Sequence, residues 1–470
     1  MLTYDLDKKN GSLYIALCNN IKNDILNGKL KSNEKLPSKR VLSKHLGISV
    51  ITTQAAYEQL IQEGYIYSVL KKGYFVCNIK QIKTSKENTA VQSIMIPGKN
   101  KNIDFDFTSQ SMDSNNFPFS VWAKLMRKVV STKEKELLTV SECSGTLELR
   151  KAICAHLKDF RGVNIQNEQV IIGAGTEYLY GLLIKLLGKD KLYCLESPGY
   201  SKIAQIYSIN EVKYKFCALD QNGISIDELN KTECSIVHIS PTHHFPTGIT
   251  MPVARRYELL EWANKSSERY IIEDDYDSEF RLNGNPVEPL MSLDNNQKVI
   301  YINTFSKSLA STIRISYMVL PPYLAQKFYN LLGFYSCTVP TFEQFTLSEF
   351  INQKYFEKHI NRMRILYTKK RNYIIQCIKE VFLPAECTVI PNDSGLHFLI
   401  KFNTDKTDAQ IESLLEENRI RIKCVADYIP DNNTSLIKNY EHKFIFAYSN
   451  IKTEGIKDSL LKVRALIFNR

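Results

Sequence analysis

The sequence predicts a small helical segment at the N-terminus, followed by a large α/β domain. Short apolar runs alternate with helical patterns from about residue 105 to the end of the 470-residue chain. Such alternation is typical of a mainly parallel sheet with helices on both faces. The first 80 residues show helical periodicity instead, and they carry 12 Lys+Arg against 6 Asp+Glu, a net +6 of the chain's +11. This charge suggests an anionic partner for the N-terminal segment, although a basic segment can also be merely solvated.

Composition sets the class of protein. Apolar residues make up 44% and charged residues 24% of the chain, as in ordinary globular proteins. No run approaches the roughly 20 apolar residues of a membrane span, and the N-terminus lacks the apolar core of a signal peptide. The 11 cysteines include no C-x-x-C pair. We therefore expect a cytoplasmic protein with reduced thiols, no membrane association and no metal site.

The N-terminal segment predicts three short helices. The first has an apolar stripe of Leu13, Leu17, Ile21 and Ile25. The second begins after the capping residue Ser38 and ends at Gly47, and the third is capped by Ser49 and ends at Gly64. The residues of the third helix predicted to face inward are Ile51, Ala55, Leu60 and Ile61. The stretch "YIYSVLKKGYFV" then reads as two strands around a basic turn.

This pattern resembles the GntR-type winged helix-turn-helix over residues 12–77, through "LPSKRVLSKHLGIS" and "KKGYFV". The resemblance implies that the third helix enters the major groove of double-stranded DNA, with the wing along the backbone or minor groove. The implied DNA-binding residues are Arg40, Ser49, Thr52, Thr53, Gln54, Lys71, Lys72 and Gly73. Relatives often carry Arg where this chain has Val50, so a site richer in A·T pairs is expected. A helix-turn-helix used only for protein contact is the alternative.

The domain organisation follows from these patterns. Residues 1–79 form the predicted DNA-binding domain, and the polar stretch 80–104 reads as a flexible linker. Residues 105–470 form the large domain, with a smaller C-terminal α+β subdomain over about 345–470.

Residues with chemical potential follow several predicted strands. "IIGAGTEYL" opens a helix with small residues, which suits a phosphate at a helix N-terminus. "RYIIEDDYDSEF" delivers acidic residues and a tyrosine, and it also fits a metal-binding or solvated acidic loop. "PTHHFPTG" contains His243 and His244, but no third metal ligand is evident. "TFSKSL" places Lys307 among small hydroxyl residues between two apolar runs.

Together these residues suit pyridoxal 5'-phosphate (PLP). This cofactor requires a buried amine for a Schiff base and a carboxylate that keeps the pyridine nitrogen protonated. It also requires a phenol at the ring oxygen, and a phosphate site made of a helix N-terminus, a hydroxyl and an arginine.

The motifs "FPFSVW", "GAGTEYL", "ESPGY", "HHFPTG", "EDDYDSEFR" and "TFSKSL" resemble those of fold-type I aminotransferases, and the whole chain resembles the MocR/GabR-type regulators. The resemblance implies a large PLP-dependent transferase domain in which Lys307 forms the Schiff base. Asp274 would pair with the pyridine nitrogen, Tyr276 with the ring oxygen, and Tyr200 would stack on the ring. The phosphate would be held by Gly175, Thr176, Thr304 and Arg314. A homodimer with a domain-swapped, head-to-tail arrangement is also implied.

Three departures from the resemblance concern the effector pocket. His244 stands where relatives commonly have Gln, and Lys202 where some have Arg. Ile445 aligns with the arginine that clamps the substrate carboxylate in many aminotransferases.

The expected function is therefore a PLP-dependent transcription regulator that senses PLP or a small amino compound. Control of vitamin B6 or amino-acid metabolism is the expected role. A working aminotransferase with a DNA-binding appendage is the main alternative, and a PLP-free regulator is another.

Overall fold

The computed structural model describes residues 2–4, 6, 12–79, 103–109, 112–282, 284, 287–390, 395–430 and 434–468. The chain divides into two compact units, Met1–Gly98 and Lys99–Arg470. Most of the predicted linker, residues 80–102, lies outside the described residues, so the boundaries of the linker stay a prediction.

Over its described residues, the first unit contains three helices and a two-stranded hairpin. These are α1 (Leu13–Leu26), α2 (Lys39–Leu46), α3 (Val50–Gln62), β1 (Ile66–Val69) and β2 (Gly73–Val76). The two strands pair antiparallel, as the predicted wing requires. The predicted caps are confirmed. Ser38 Oγ accepts a hydrogen bond from the Val41 amide, and Gly47 ends α2 with a φ of 65°, a left-handed conformation that glycine adopts without strain.

The predicted inward face of α3 is wrong at its start. Ile51 is 80% exposed, whereas Thr53, Ala56, Tyr57 and Leu60 are buried. Counting apolar residues put Ile51 on the core face, but the buried row is Thr53, Ala56, Tyr57 and Leu60, spaced i, i+3, i+4 and i+7. Ile51 precedes this row by two residues, which is about 200° around the helix axis, so it faces away from the core.

The second unit is a large α/β domain. Its helices are α4 (Phe119–Thr132), α5 (Glu134–Leu137), α6 (Leu147–Arg161), α7 (Thr176–Leu187), α8 (Ser201–Ile209), α9 (Ile226–Asn230), α10 (Val253–Asn264), α11 (Leu290–Leu293), α12 (Phe305–Ser308), α13 (Pro322–Leu332), α14 (Thr341–Asn352), α15 (Tyr355–Val381), α16 (Asp408–Glu417), α17 (Thr434–Tyr440) and α18 (Ile456–Phe468). Its strands are β3 (Phe105–Asp106), β4 (Val170–Gly173), β5 (Leu192–Ser197), β6 (Lys213–Asp220), β7 (Gly223–Ile224), β8 (Ile236–Ile239), β9 (Tyr270–Asp274), β10 (Val299–Thr304), β11 (Ser316–Val319), β12 (Cys387–Ile390), β13 (His397–Phe402), β14 (Ile420–Arg421), β15 (Lys423–Cys424) and β16 (Lys443–Ala447).

Eight strands form one sheet in the order β4-β11-β10-β9-β8-β5-β6-β7. Neighbouring strands from β10 to β6 pair parallel, whereas β11 runs antiparallel to both β10 and β4. Strands such as β4, β8 and β10 are buried along their whole length because helices cover both faces. The carboxyl ends of β4, β5, β8, β9 and β10 therefore share one edge of the sheet.

A second, antiparallel sheet has the order β12-β13-β16-β15 and packs with α15 and α18 in the C-terminal part of the unit. The expected α/β class with a smaller α+β part is confirmed. Among the described residues, none of the helices combines the length and apolarity needed to cross a membrane.

A buried ion pair anchors the end of β9. Arg161, the last residue of α6, lies 2.6 Å from Asp275 Oδ2, and both side chains are at most 2% exposed. The Tyr301 hydroxyl donates a second hydrogen bond to the same carboxylate oxygen at 2.7 Å. Burial alone would lower the Arg161 pKa, but attraction from Asp275 and other acidic groups raises it above its ordinary value, so the guanidinium stays charged.

Removing one partner of this pair should destabilise the fold strongly. Arg161→Met leaves a buried carboxylate without its cation, which typically costs about 3–5 kcal/mol. Urea unfolding of the full chain measures this loss. Arg419→Met is the matched control, because Arg419 pairs with Asp104 at 3.0 Å where both side chains are more than half exposed. The control should lose about 1 kcal/mol or less, and equal losses for both variants would contradict the prediction.

Candidate functional site

A cavity of about 600 Å³ opens at the carboxyl ends of the parallel strands. Parallel strands bring the residues that follow them to one edge, so motifs far apart in the sequence meet there. The predicted cofactor-binding residues all line this cavity: Gly175, Thr176, Tyr200, Asp274, Tyr276, Thr304, Lys307 and Arg314. Their individual roles stay predictions.

Asp274, the last residue of β9, offers a carboxylate oxygen to the cavity. Its Oδ2 accepts a hydrogen bond from the Tyr180 hydroxyl and lies 3.7 Å from His238 Nε2. Its buried Oδ1 has no hydrogen-bond partner among the described residues. Such an orphaned oxygen costs free energy unless a ligand donates to it. The protonated nitrogen of a pyridine ring is a suitable donor.

Lys307 lies in the short helix α12, directly after β10. Burial lowers the pKa of its ammonium, and attraction from Asp277 opposes this shift only partly. Thr304 holds the turn, since its hydroxyl accepts hydrogen bonds from the Ser306 amide at 3.1 Å and from the Ser316 hydroxyl at 2.7 Å. A lysine with a lowered pKa is more easily neutral, and a neutral amine is the form that attacks an aldehyde.

The start of α7 forms the phosphate-sized end of the cavity. Gly175 has a φ of 93°, and a Cβ at this position would collide with the Arg314 guanidinium. The guanidinium therefore lies directly over the helix N-terminus, where it pairs with Glu177 at 3.1 Å. Glu177 also pairs with Lys202, which lowers its pKa. Backbone N–H groups, the Thr176 hydroxyl and a cation together suit a phosphate.

Tyr276 contacts a buried histidine–aspartate pair. Its hydroxyl lies 3.2 Å from His243 Nδ1, and the same nitrogen lies 2.9 Å from Asp277 Oδ2. The carboxylate requires a proton on Nδ1, so the Tyr276 hydroxyl is left to donate elsewhere. Burial, and then Asp277, raise the Tyr276 pKa well above its ordinary value, so the phenol stays protonated. Gly395 packs against the His243 ring with no room for a Cβ.

The other histidine of the motif has a different partner. His244 Nε2 lies 3.5 Å from Glu196 Oε2, which accepts a hydrogen bond from the Ser240 amide at 2.9 Å. Burial raises the Glu196 pKa to about 8 and, with His243, lowers the His244 pKa to about 3. Both groups are therefore mostly neutral near pH 7. The two histidines bind separate carboxyl groups, and no cluster of metal-ligating residues occurs among the described residues.

Sequence reasoning missed Tyr180, His238 and Glu196, which also line the cavity. Tyr180 and His238 lie within buried apolar runs, so nothing in the local pattern distinguished them from core residues. Glu196 is the first residue of the motif "ESPGY", but the motif alone gave it no role. The sequence places them far from Asp274, and only the sheet brings them together. Tyr200 was predicted to stack on a ring, and its side chain is 48% exposed at the cavity, in edge contact with Phe245.

The first unit presents most of its predicted DNA-binding residues at the surface. Arg40, Lys71 and Lys72 are exposed, the last two at the turn before Gly73. Thr53 is an exception, since it is 0% exposed and its hydroxyl donates to the Ser49 carbonyl at 3.4 Å. A side chain buried in its own domain cannot reach a base edge, so the expectation for Thr53 is corrected.

Family comparisons agree with this division. Residues 13–76 match the model "Bacterial regulatory proteins, gntR family", and residues 103–430 match "Aminotransferase class I and II". The uncharacterized HTH-type transcriptional regulator YdeL of Bacillus subtilis is 37% identical over 388 residues, which cover 83% of each chain. The chain belongs to the MocR-type regulators.

Other relatives span the same two parts. The probable rhizopine catabolism regulatory protein MocR of Rhizobium meliloti is 28% identical, over 86% of this chain and 84% of its own. The pyridoxine biosynthesis regulator PdxR of Corynebacterium glutamicum is 26% identical, over 89% of each chain. Among solved structures, an archaeal alanine:glyoxylate aminotransferase has the same fold, with a TM-score of 0.69 and 22% identity over 79% of this chain and 92% of its own.

As a MocR-type regulator, the chain is a PLP-dependent transcription regulator with a DNA-binding winged helix. The cavity fits the cofactor on its own evidence, because an orphaned carboxylate oxygen, a lysine with a lowered pKa and an arginine over a helix N-terminus line the same space.

Replacing Lys307 should stabilise the cofactor-free protein. Because the folded-state pKa is lowered, the folded chain binds fewer protons than the unfolded chain at pH values between that pKa and about 10.4. The resulting penalty is full below the folded pKa and disappears as the pH rises towards about 10.4. Lys307→Met should therefore raise the free energy of unfolding at pH 7 by an amount on the order of 1–3 kcal/mol.

Urea unfolding at pH 7, 8, 9 and 10 measures this effect, and the gain should shrink as the pH rises. Lys189→Met is the control, because Lys189 pairs with Glu211 at the surface. A gain for Lys307→Met that is constant over this range would contradict a lysine with a lowered pKa.

Proposed function

We propose that the aminotransferase-like part of this regulator senses a small molecule and does not work as an aminotransferase. The observation that carries the proposal is the pairing, in one cavity, of a lysine with a lowered pKa and an unpartnered carboxylate oxygen. This cavity belongs to a chain that also contains a DNA-binding domain. The effector is PLP itself or a small amino compound.

We assign the following roles to the chain's own residues. When bound, PLP supplies an aldehyde for covalent attachment of an amine and a ring that accepts electrons. Lys307 would provide the neutral amine, and Asp274 would hold a proton on the ring nitrogen. Tyr276 would donate to the ring oxygen, and Tyr200 would stack on the ring. The phosphate would be held by Gly175, Thr176, Thr304 and Arg314, all of which line the cavity.

Turnover requires a group that orients the substrate's carboxylate. Ile445, at the aligned position of the usual clamp, is 1% exposed within the apolar strand β16. Lys202 is committed to Glu177 and presents a single ammonium, which lacks the bidentate geometry of arginine. Poor orientation can forfeit much of the ~7–11 kcal/mol that positioning contributes to catalysis. This favours sensing.

One observation favours the second candidate, a working aminotransferase. Arg421 lines the cavity, and its ion pairs with Asp106 and Glu416 are long, at 3.4 Å and 3.7 Å. A ligand carboxylate would compete with these two carboxylates for the guanidinium. This arginine comes from β14 rather than from the C-terminal strand of the usual clamp.

The choice of effector has support from a relative. PdxR is, by name, a pyridoxine biosynthesis regulator, and 89% of this chain aligns with it. Two roles are therefore proposed: control of vitamin B6 metabolism in response to PLP, or control of amino-acid metabolism in response to an amine.

We further propose a cytoplasmic, head-to-tail homodimer that binds two DNA half-sites. Arg40, Lys71, Lys72 and Gly73 would contact the backbone, with Ser49, Thr52 and Gln54 near base edges.

The cofactor assignment predicts a yellow protein. Full-length protein supplied with PLP should show a visible absorption band that borohydride removes, and Lys307→Ala should lose the covalent signal. Lys298→Ala is the matched control, because Lys298 is another partly buried lysine, hydrogen-bonded to the Ser266 carbonyl at 2.8 Å and away from the cavity. A colourless wild-type protein that ignores added PLP would refute the assignment.

The sensor assignment predicts that operator binding changes with the effector while keto-acid product does not accumulate. The PLP-loaded protein is incubated with a panel of amino acids and a keto-acid acceptor, with DNA binding and product both measured. A change with PLP alone indicates a vitamin sensor, and a change that requires an amine indicates an amine sensor.

Steady turnover at ordinary rates, roughly 1–10³ per second, would instead establish the second candidate. In that case Arg421→Gln should lower the rate, while Arg419→Gln, which pairs with Asp104 outside the cavity, should leave it unchanged.

A further inference from the structure

The start of helix α3 exposes two apolar side chains. Val50 is 42% exposed and Ile51 is 80% exposed. They occupy the first two positions of the helix whose N-terminal residues contact base edges in helix-turn-helix proteins. Branched apolar residues at such a position gain nothing from water, so a contact with a partner is the expected reason for their exposure.

The polar side chains beside them are already committed. Ser49 Oγ accepts a hydrogen bond from the Thr52 amide at 3.0 Å and lies 2.8 Å from Thr52 Oγ1. These bonds cap the helix, so turning either hydroxyl towards a base would weaken the cap. Thr53 is buried in the core of the unit.

Gln54 is held at both ends of its amide. Its Oε1 accepts from Lys39 Nζ at 3.1 Å, and its Nε2 donates to Glu58 Oε1 at 2.8 Å. Reading adenine with this side chain would break both hydrogen bonds. In the first turn of α3, the groups free to contact a base without rearrangement are therefore the side chains of Val50 and Ile51.

The apolar group that DNA presents in the major groove is the C5-methyl of thymine. Val and Ile are β-branched and have few rotamers in a helix, so they lose little freedom on contact. The basic residues nearby, Lys39 and Arg40 on α2 and the wing lysines, can hold phosphates but carry no sequence information. A sequence preference must come from another group.

We propose that Val50 and Ile51 read thymine methyl groups, so that the operator carries thymine opposite the start of α3. The inference rests on the proposed function only in that α3 must enter the major groove. It identifies the base read at those positions and the chemical group that is recognised.

The test begins with full-length protein and a pool of duplexes with a random central segment, from which bound sequences are selected. Each thymine of the selected duplex is then replaced by uracil, which removes only the methyl group. Loss of one buried methyl contact should weaken binding about fourfold. The effect should be confined to the one or two thymines in each half-site that face α3.

Two variants locate the contact. For Ile51→Ala, replacing one of the sensitive thymines by uracil should no longer weaken binding. The variant should bind the uracil duplex as tightly as the wild-type protein does. Ile15→Ala is the matched control, since Ile15 is a 48% exposed isoleucine on α1 of the same unit, and it should keep the full uracil effect. Circular dichroism melting of each variant checks that it folds. Both substituted side chains are exposed, so neither change removes a core contact.

The outcomes separate this inference from the proposed function. If no sequence is enriched, sequence-specific DNA binding by this chain is wrong. If a sequence is enriched but no uracil substitution weakens binding, or if Ile51→Ala keeps the full uracil effect, the thymine reading is overturned and the regulator stands.

Discussion

The ion pair between Arg161 and Asp275 lies beneath the cavity, and its position governs the residues on either side of it. Asp275 directly follows Asp274, the last residue of β9, and successive side chains of a strand point to opposite faces. Holding Asp275 inward, against Arg161 and the Tyr301 hydroxyl, therefore turns Asp274 towards the cavity. It also fixes the start of the turn that presents Tyr276 to the same cavity. Two charges out of water cost free energy, and a fold retains them more readily where they fix a geometry.

Charge around the cavity is distributed in two zones. Near the ring site, burial keeps Glu196 and His244 mostly neutral and lowers the Lys307 pKa, so a ligand meets few competing charges. At the start of α7, by contrast, Glu177 joins the cations Arg314 and Lys202. A phosphate placed there competes with Glu177 for Arg314, and it weakens the coupling between Arg314 and Lys202. A phosphate at this end of the cavity thereby changes the pairing of Lys202 at the rim.

The sequence predicted the parts of the site that depend on local order. A strand followed by a characteristic turn identified Gly175, Asp274 and Lys307, and the parallel sheet was enough to bring them together. It did not predict the Asp277–His243–Tyr276 contacts, because the pattern gave no distances between loops. It also placed Ile51 inside, because it took the apolar residues of α3 to mark the core face, whereas that face includes Thr53 and leaves Ile51 exposed. Thr53 is the converse error, because this polar residue was predicted to be exposed and is buried.

A sensor also needs a structural element whose position depends on what the cavity holds. Residues 395–397, which lead into β13, meet this requirement within the second unit. Gly395 touches the His243 ring without space for a Cβ, and the ring of His397 lies 4.8 Å from the same imidazole. His397 Nε2 also hydrogen-bonds to the Pro246 carbonyl at 3.0 Å, and β13 is central to the C-terminal sheet. Since close-packed interiors transmit small shifts, a ligand that moves Tyr276 and His243 must displace this segment. The free energy that couples effector binding to DNA binding is typically about 1–3 kcal/mol. A displacement that exchanges a few contacts is enough to supply it.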